Sequence, residues 1–475
     1  MKQYPPWTAI LRRVCLALAA AATIVAAAVF EEDLRGERAF RRFAGECAED
    51  GKPLDYAFYK PAPIPDDRNM FRAPVLARFF NPKDVHGKAW NEYQGDRRLP
   101  WEIRTALGQW QRGRPADFAA AYLILEKTPP SAPDPDPRAA ALLVLERVNV
   151  IRPELDALCA AARQRPESQI EFLTDGQFVV GSFGALRVFP TALSWRASAE
   201  IELGRYDAAF DDVYASLRLV EGAATFPSQL HLVMADSMAL RALQPFWEGC
   251  VKGVWSESQL RTIQDLLAKF HPLRRLPVAH AALRAAYALN WESGSGRPRW
   301  MPSGWWKINI VRFFRSGAAL DQSAFDPVLE RIDLAKVDEA DAFLHAIGGT
   351  YSPFNWLIRH EAWPPHHVFD GIAGGQNAFV LAGAACAVER YRLSRGEYPE
   401  RLSQLVPAFL QSVPRDVIDG APLRYARTGD GHFRLYSIGL NGIDDHGALP
   451  GASPSPSFPW MSGEGDWAWP QPARP

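Results

Sequence analysis

From Val14 to Phe30 the chain reads VCLALAAAATIVAAAVF, without a single charge. Nothing else in the sequence restricts the fold as much. At ~1.5 Å per residue an α-helix of this run covers about 25 Å, the short end of what crosses a bilayer. Thr8 to Leu11 extend it if Arg12 and Arg13 reach back toward the headgroups. Lys2, Arg12 and Arg13 precede the run and Glu31, Glu32 and Asp33 follow it. By the positive-inside rule the short basic end stays in the cytoplasm and the body is exported. Residues 1–32 therefore read as a single-pass transmembrane anchor, with the N-terminus cytoplasmic and the body periplasmic. The small residues Ala26, Ala27 and Ala28 also offer a signal-peptidase site, and cleavage there changes attachment but not compartment.

Beyond the anchor, Leu34, Phe40, Phe43 and Ala44 keep helical spacing, so a charged, exposed helix leads away from the membrane. Lys60 to Asp67 (KPAPIPDD) ends it, because alternate prolines favour extended polyproline geometry. Residues 33–99 form this juxtamembrane helix and proline-rich linker, and residues 100–372 a helical body. Its helices are expected over Pro100–Phe118, Ala139–Arg165, Ser228–Gly249, Ser256–Phe270 and Arg274–Glu292. Ser256 and Gln259 make a capping box at the head of one of them. The glycines and branched residues of Gln169–Val188 predict a hairpin or an irregular buried loop. Thr191–Ala224 reads as a helix pair turning at Gly204, similar to one tetratricopeptide unit. Trp300, Trp305, Trp306, Phe313 and Phe314 read as core, with a membrane-surface or partner contact as the alternative.

The 53 Lys and Arg residues balance 54 Asp and Glu, so no field favours nucleic acid. Cys47, Cys159, Cys250 and Cys386 stand far apart and read as small buried apolar residues. Phosphate-binding loops and nucleophile elbows are absent from the sequence. Arg359-His360-Glu361 with His366-His367 is the most metal-like run, but His360 and His366 are six residues apart with Pro364-Pro365 between them. Two histidines on one helical face need a spacing of four. Asp66-Asp67 and Asp211-Asp212 read as solvated acidic pairs.

Ala378 to Arg395 is a helix closed by Gly396, followed by a short helix at Arg401–Leu405. Strands at Leu423–Arg427 and Phe433–Ile438 are joined by the turn Thr428-Gly429-Asp430-Gly431. The fold class is thus mainly α, with a small α+β domain of helix on antiparallel sheet over residues 373–475. The pieces YRLSRGEYP, VPRD with LRY, and FRLYSIGLNGIDD resemble, in this order, the soluble end of the major pseudopilin of type II secretion. The resemblance covers Asn377 to Trp469. It implies a bacterial inner-membrane setting and a calcium ion in the loop after the last strand, which points to Asn441, Asp444, Asp445 and Asp466. A pseudopilin carries its assembly helix at the extreme N-terminus, whereas here residues 1–372 come first. The expectation is a non-enzymatic envelope protein that binds an envelope protein partner. A metal-dependent envelope hydrolase using His360, Glu361 and His366 is the alternative.

Overall fold

The computed structural model describes residues 6–81, 83–84, 88–93, 98–129, 135–170, 180–292, 294–326, 328–349, 352–361, 365–449 and 465–470. The principal helices are α1 (Pro6–Glu49), α2 (Phe118–Leu125), α3 (Pro137–Val148), α4 (Arg152–Gln164), α5 (Val180–Glu202) and α6 (Tyr206–Ala224). They continue with α7 (Gln229–Val251), α8 (Glu257–Leu267), α9 (Pro272–Glu292), α10 (Ser303–Ala324), α11 (Leu334–Gly349) and α12 (Pro365–Arg395). A two-residue pair, β1 (Phe325–Asp326) with β2 (Arg331–Ile332), lies between α10 and α11. The terminal sheet has the order β3 (Arg424–Arg427), β4 (Phe433–Ser437) and β5 (Trp467–Trp469), antiparallel throughout.

The N-terminal helix is one unbroken rod with two environments. Ile10 to Phe30 lies wholly exposed. From Gly36 onward a stripe of Gly36, Phe40, Phe43 and Cys47 is buried against α10. The spacing of four, three and four puts these residues on one face. The helix after the apolar run is therefore not a free stalk, as its charge suggested, but a strut packed along one side. Two of the described helices are long and apolar enough to cross a membrane, this one and Val368–Arg395 within α12. The second is buried inside the protein, which identifies it as a core helix.

Helices α5, α6 and α7 pack on one another, and α12 lies against α7 and α8. Gly204, at φ 77°, turns α5 into α6 as an antiparallel pair. The helix expected over Pro100–Phe118 is not formed. Tight turns at Trp101–Thr105 and Trp110–Arg112 replace it, and Gly108 and Gly113 take positive φ. The hairpin expected over Gln169–Val188 is replaced from Val180 by α5, while residues 171–179 lie outside the described region. The glycine that signalled a turn serves packing instead: a Cβ on Gly184 would sit 2.0 Å from the Trp90 ring. The capping box of α8 forms as read, Ser256 Oγ accepting from Gln259 N–H and Gln259 Oε1 from Ser256 N–H. The Pro-rich stretch lies as a strap on the body, where Gln169 Nε2 donates to the Ala62 carbonyl at 3.1 Å.

One cluster of buried apolar residues extends from Met70 to Trp469, and α12 runs unbroken past residue 373. The third strand, β5, ties the sheet to the body. Trp469 lies against Trp110 with ring centroids 5.3 Å apart, and Trp247 Nε1 donates to the Pro470 carbonyl at 2.9 Å. Inside the sheet Asp416 is fully buried and accepts from Ile418 N, Ile438 N, Ser437 Oγ and Arg424 Nη1. A second cluster gathers Phe40, Phe43, Trp291, Trp306 and Phe314 where α1, α9 and α10 meet. The aromatic stretch of α10 is thus core, except that Trp300, just before it, is 55% exposed.

Candidate functional site

The four residues implicated in calcium binding do come together after β4, but they serve one another and their own backbone. Asp466 accepts from the N–H groups of Asp445 and Gly447 at 3.3 and 2.6 Å. Asn441 donates to Asp445 Oδ2 at 2.8 Å and accepts from Ile443 N–H, and Asp444 accepts from His446 N–H. Arg424 stands 3.9 Å from Asp444 and adds a competing cation. Among the described residues no three His, Cys, Asp or Glu side chains are gathered to hold a metal ion.

The histidines are likewise separately engaged. His360 Nδ1 faces the Trp356 carbonyl one turn back at 2.8 Å, and its ring stacks on the Trp356 indole. His366 lies between Asp338, at 2.8 Å, and Asp370, at 3.4 Å, which raise its pKa against the opposing effect of burial. Glu361 is exposed, and the side chain of His367 lies outside the described region. Of the acidic pairs, Asp66 faces solvent beside Arg72, but Asp212 is fully buried. Arg196 forks onto Asp212 and also reaches Asp156 at 2.7 Å, and Cys159 donates to Asp212 at 3.2 Å. Burial raises Glu200 in the same cleft to about 8. Burial also pushes the Cys159 thiol far up, so it is no nucleophile at neutral pH. This cleft is an ion network that joins α4, α5 and α6.

The cavity beneath the strap has a different character. About 300 Å³ in volume, it lies between Ala62 and Ile64 of the strap, the ends of α6 and α8, and the middle of α7. Asp236 of α7 lines it. This side chain is 2% exposed, and neither carboxylate oxygen has a hydrogen-bond partner among the described residues. Burial alone holds its carboxyl well above the usual carboxylate range, which favours the protonated form. The fold makes room for it through Gly375 of α12, where a Cβ would stand 2.3 Å from Asp236 Oδ1. The cations at the rim are otherwise engaged. Lys269 pairs with Glu221, Arg275 donates to the Ala224 carbonyl at 2.5 Å, and His271 faces Glu330 at 3.0 Å.

A buried polar group without a partner costs about 1–3 kcal/mol or more, and a cavity beside it marks a place where a ligand can supply the missing bond. Sequence reasoning passed over Asp236, although a signal was present. Leu232, Asp236, Leu240 and Leu243 share the buried stripe of α7, so an acid sits where the periodicity calls for leucine. No protein-family model matches the chain, and neither does any curated protein or solved structure.

Proposed function

We propose that this is a single-pass envelope protein, anchored in a bacterial inner membrane by α1, whose helical body captures a ligand or a protein partner outside that membrane. The observation that carries the reading is the contrast along α1. Its apolar half, including Ile10, Leu16, Leu18, Ile24 and Phe30, is exposed, while from Gly36 onward the same helix buries one face against α10. An apolar surface of that size in water is strongly unfavourable, and lipid removes the cost. A span from Trp7 to Phe30 measures about 35 Å, enough for the hydrocarbon core and one headgroup layer.

Capture, rather than turnover, is supported by what the cavity offers: a buried carboxyl without a hydrogen-bond partner beside Phe379 and Ala235, a group that orients a ligand by hydrogen bonding. The α5–α6 pair is read as one tetratricopeptide-like unit, a shape suited to protein partners. The terminal unit, helix α12 on the β3-β4-β5 sheet, is read as a pseudopilin-like module serving as a structural cap. The β5 strand running onto Trp110 and Trp247 supports that role.

Thiol labelling of intact cells tests the orientation. In a Cys15→Ser background, Ser412→Cys, at an exposed position far from α1 in the chain, should react with a membrane-impermeant maleimide and Lys2→Cys should not. The reverse pattern would refute the topology. Capture is tested by native mass spectrometry of the purified full chain: a bound species present in the wild type should be lost in Asp236→Asn.

A further inference from the structure

Helix α10 runs parallel to the lower part of α1, and the register of the pair is fixed by polar contacts. Gly304 N–H donates to Asp33 Oδ1 at 2.6 Å, Lys307 pairs with Glu37, and Arg315 Nη2 meets Glu46 Oε2 at 2.6 Å. Numbers rise together along both helices, so α10 travels away from the apolar half of α1 and its N-terminus is the end nearest that half. Asp33 lies three residues beyond Phe30, about 4.5 Å along the axis. Gly304 is pressed against the Glu32 backbone, where a Cβ would stand 1.9 Å from the carbonyl oxygen. Whatever leads into Ser303 is therefore held at the depth where the hydrocarbon core gives way to headgroups.

What leads into Ser303 is Gly294 to Pro302, carrying Arg297, Arg299 and Trp300, all exposed. Trp300 is 55% exposed, and its indole meets that of Trp356 edge to face at 5.7 Å. The neighbouring large aromatics Trp291, Trp306 and Phe314 are buried. Tryptophan with an apolar body and a polar N–H is the residue that settles at a membrane–water interface, and arginines beside it suit lipid phosphates.

We infer that the loop Gly294–Pro302 rests on the bilayer that α1 crosses, with Trp300 in the headgroup layer and Arg297 and Arg299 on the phosphates of anionic lipids. The protein then touches the membrane at two places, which fixes the tilt of the body instead of leaving it to swing on a single helix. This rests on the anchor reading of α1. The surface is continuous with that anchor, which is why lipid, and not a protein, is the occupant.

Site-directed spin labelling of the full chain tests it, in vesicles of phosphatidylethanolamine and phosphatidylglycerol. In the Cys15→Ser background, labels are placed at Leu18→Cys, Trp300→Cys and Arg299→Cys, and depth is read from oxygen against nickel-chelate accessibility. The label at 18 should report the acyl core, and those at 299 and 300 the phosphate level, shielded from nickel. Labels at 299 and 300 as open to nickel as a free label, with 18 in the acyl core, would overturn the loop contact and leave the anchor standing. A label at 18 in water would refute both. Arg299 and Trp300 both lie outside the buried aromatic cluster, and Arg299 has no place in the Trp300–Trp356 contact. Agreement between them separates depth from local disruption.

Discussion

Gly36 and Gly304 bring α1 and α10 together backbone to backbone: a Cβ on Gly36 would lie 2.3 Å from the Gly304 carbonyl oxygen. No side chain fits between the two helices at this level, so the end of the anchor and the start of the body are one rigid piece. The polar contacts above and the aromatic cluster below lock the same register. The orientation of the body relative to the apolar half of α1 is therefore built into the fold.

Gly304→Ala should destabilise the protein by about 1–3 kcal/mol, the usual cost of overpacking a tight contact. Gly45→Ala, on α1 with nothing within 4 Å of its Cβ, should be neutral or slightly stabilising. Chemical denaturation of the detergent-solubilised chain distinguishes the two.

Removing Arg196 alone leaves Asp212 buried without its cation, and Arg196→Ala should cost about 3–5 kcal/mol. The double change Arg196→Met with Asp212→Leu should recover most of that loss, because it removes both charges together. Equal stability of the single and double variants would show that the network does not behave as a buried pair.

Asp236 carries a sign that can be worked out. Its folded carboxyl titrates well above the unfolded one, so between those values the native state holds a proton that the unfolded chain has released. Its contribution to stability is full below the unfolded value and is lost as pH rises toward the folded one. Asp236→Asn abolishes this dependence. The variant should therefore gain on the wild type as pH is raised from 5 to 8, as measured by denaturation at both. A constant difference would show that Asp236 is ionised in the fold.

Asp466→Ala strips two backbone N–H groups of their acceptor and should cost about 1–3 kcal/mol. Calcium or a chelator should leave the melting temperature of the wild type unchanged. A rise with calcium would show that the loop rearranges to bind it.

Much of this architecture was legible in the sequence, and the reasons are specific. Ser256 and Gln259 mark a helix start because capping chemistry is local, and Thr428 to Gly431 marks a hairpin for the same reason. The exposed apolar run of α1 was readable because its solvent decides it. Features set by distant partners were not readable. Gly184 looked like a turn because Trp90 is far away in sequence, and β5 joins the sheet through pairing with the distant Leu435, Tyr436 and Ser437 of β4. Asp212 looked solvated because Arg196 lies on the preceding helix of the pair. Asp236 left only a period-breaking acid as its trace.

The central claim is that α1 remains whole, in lipid at one end and in the body at the other. Its most direct test is the intact mass of the protein recovered from membranes washed at alkaline pH. The account predicts the uncut chain, from its N-terminal residues onward, in the membrane pellet. A shortened chain beginning near Val29 and released into the soluble fraction would contradict it.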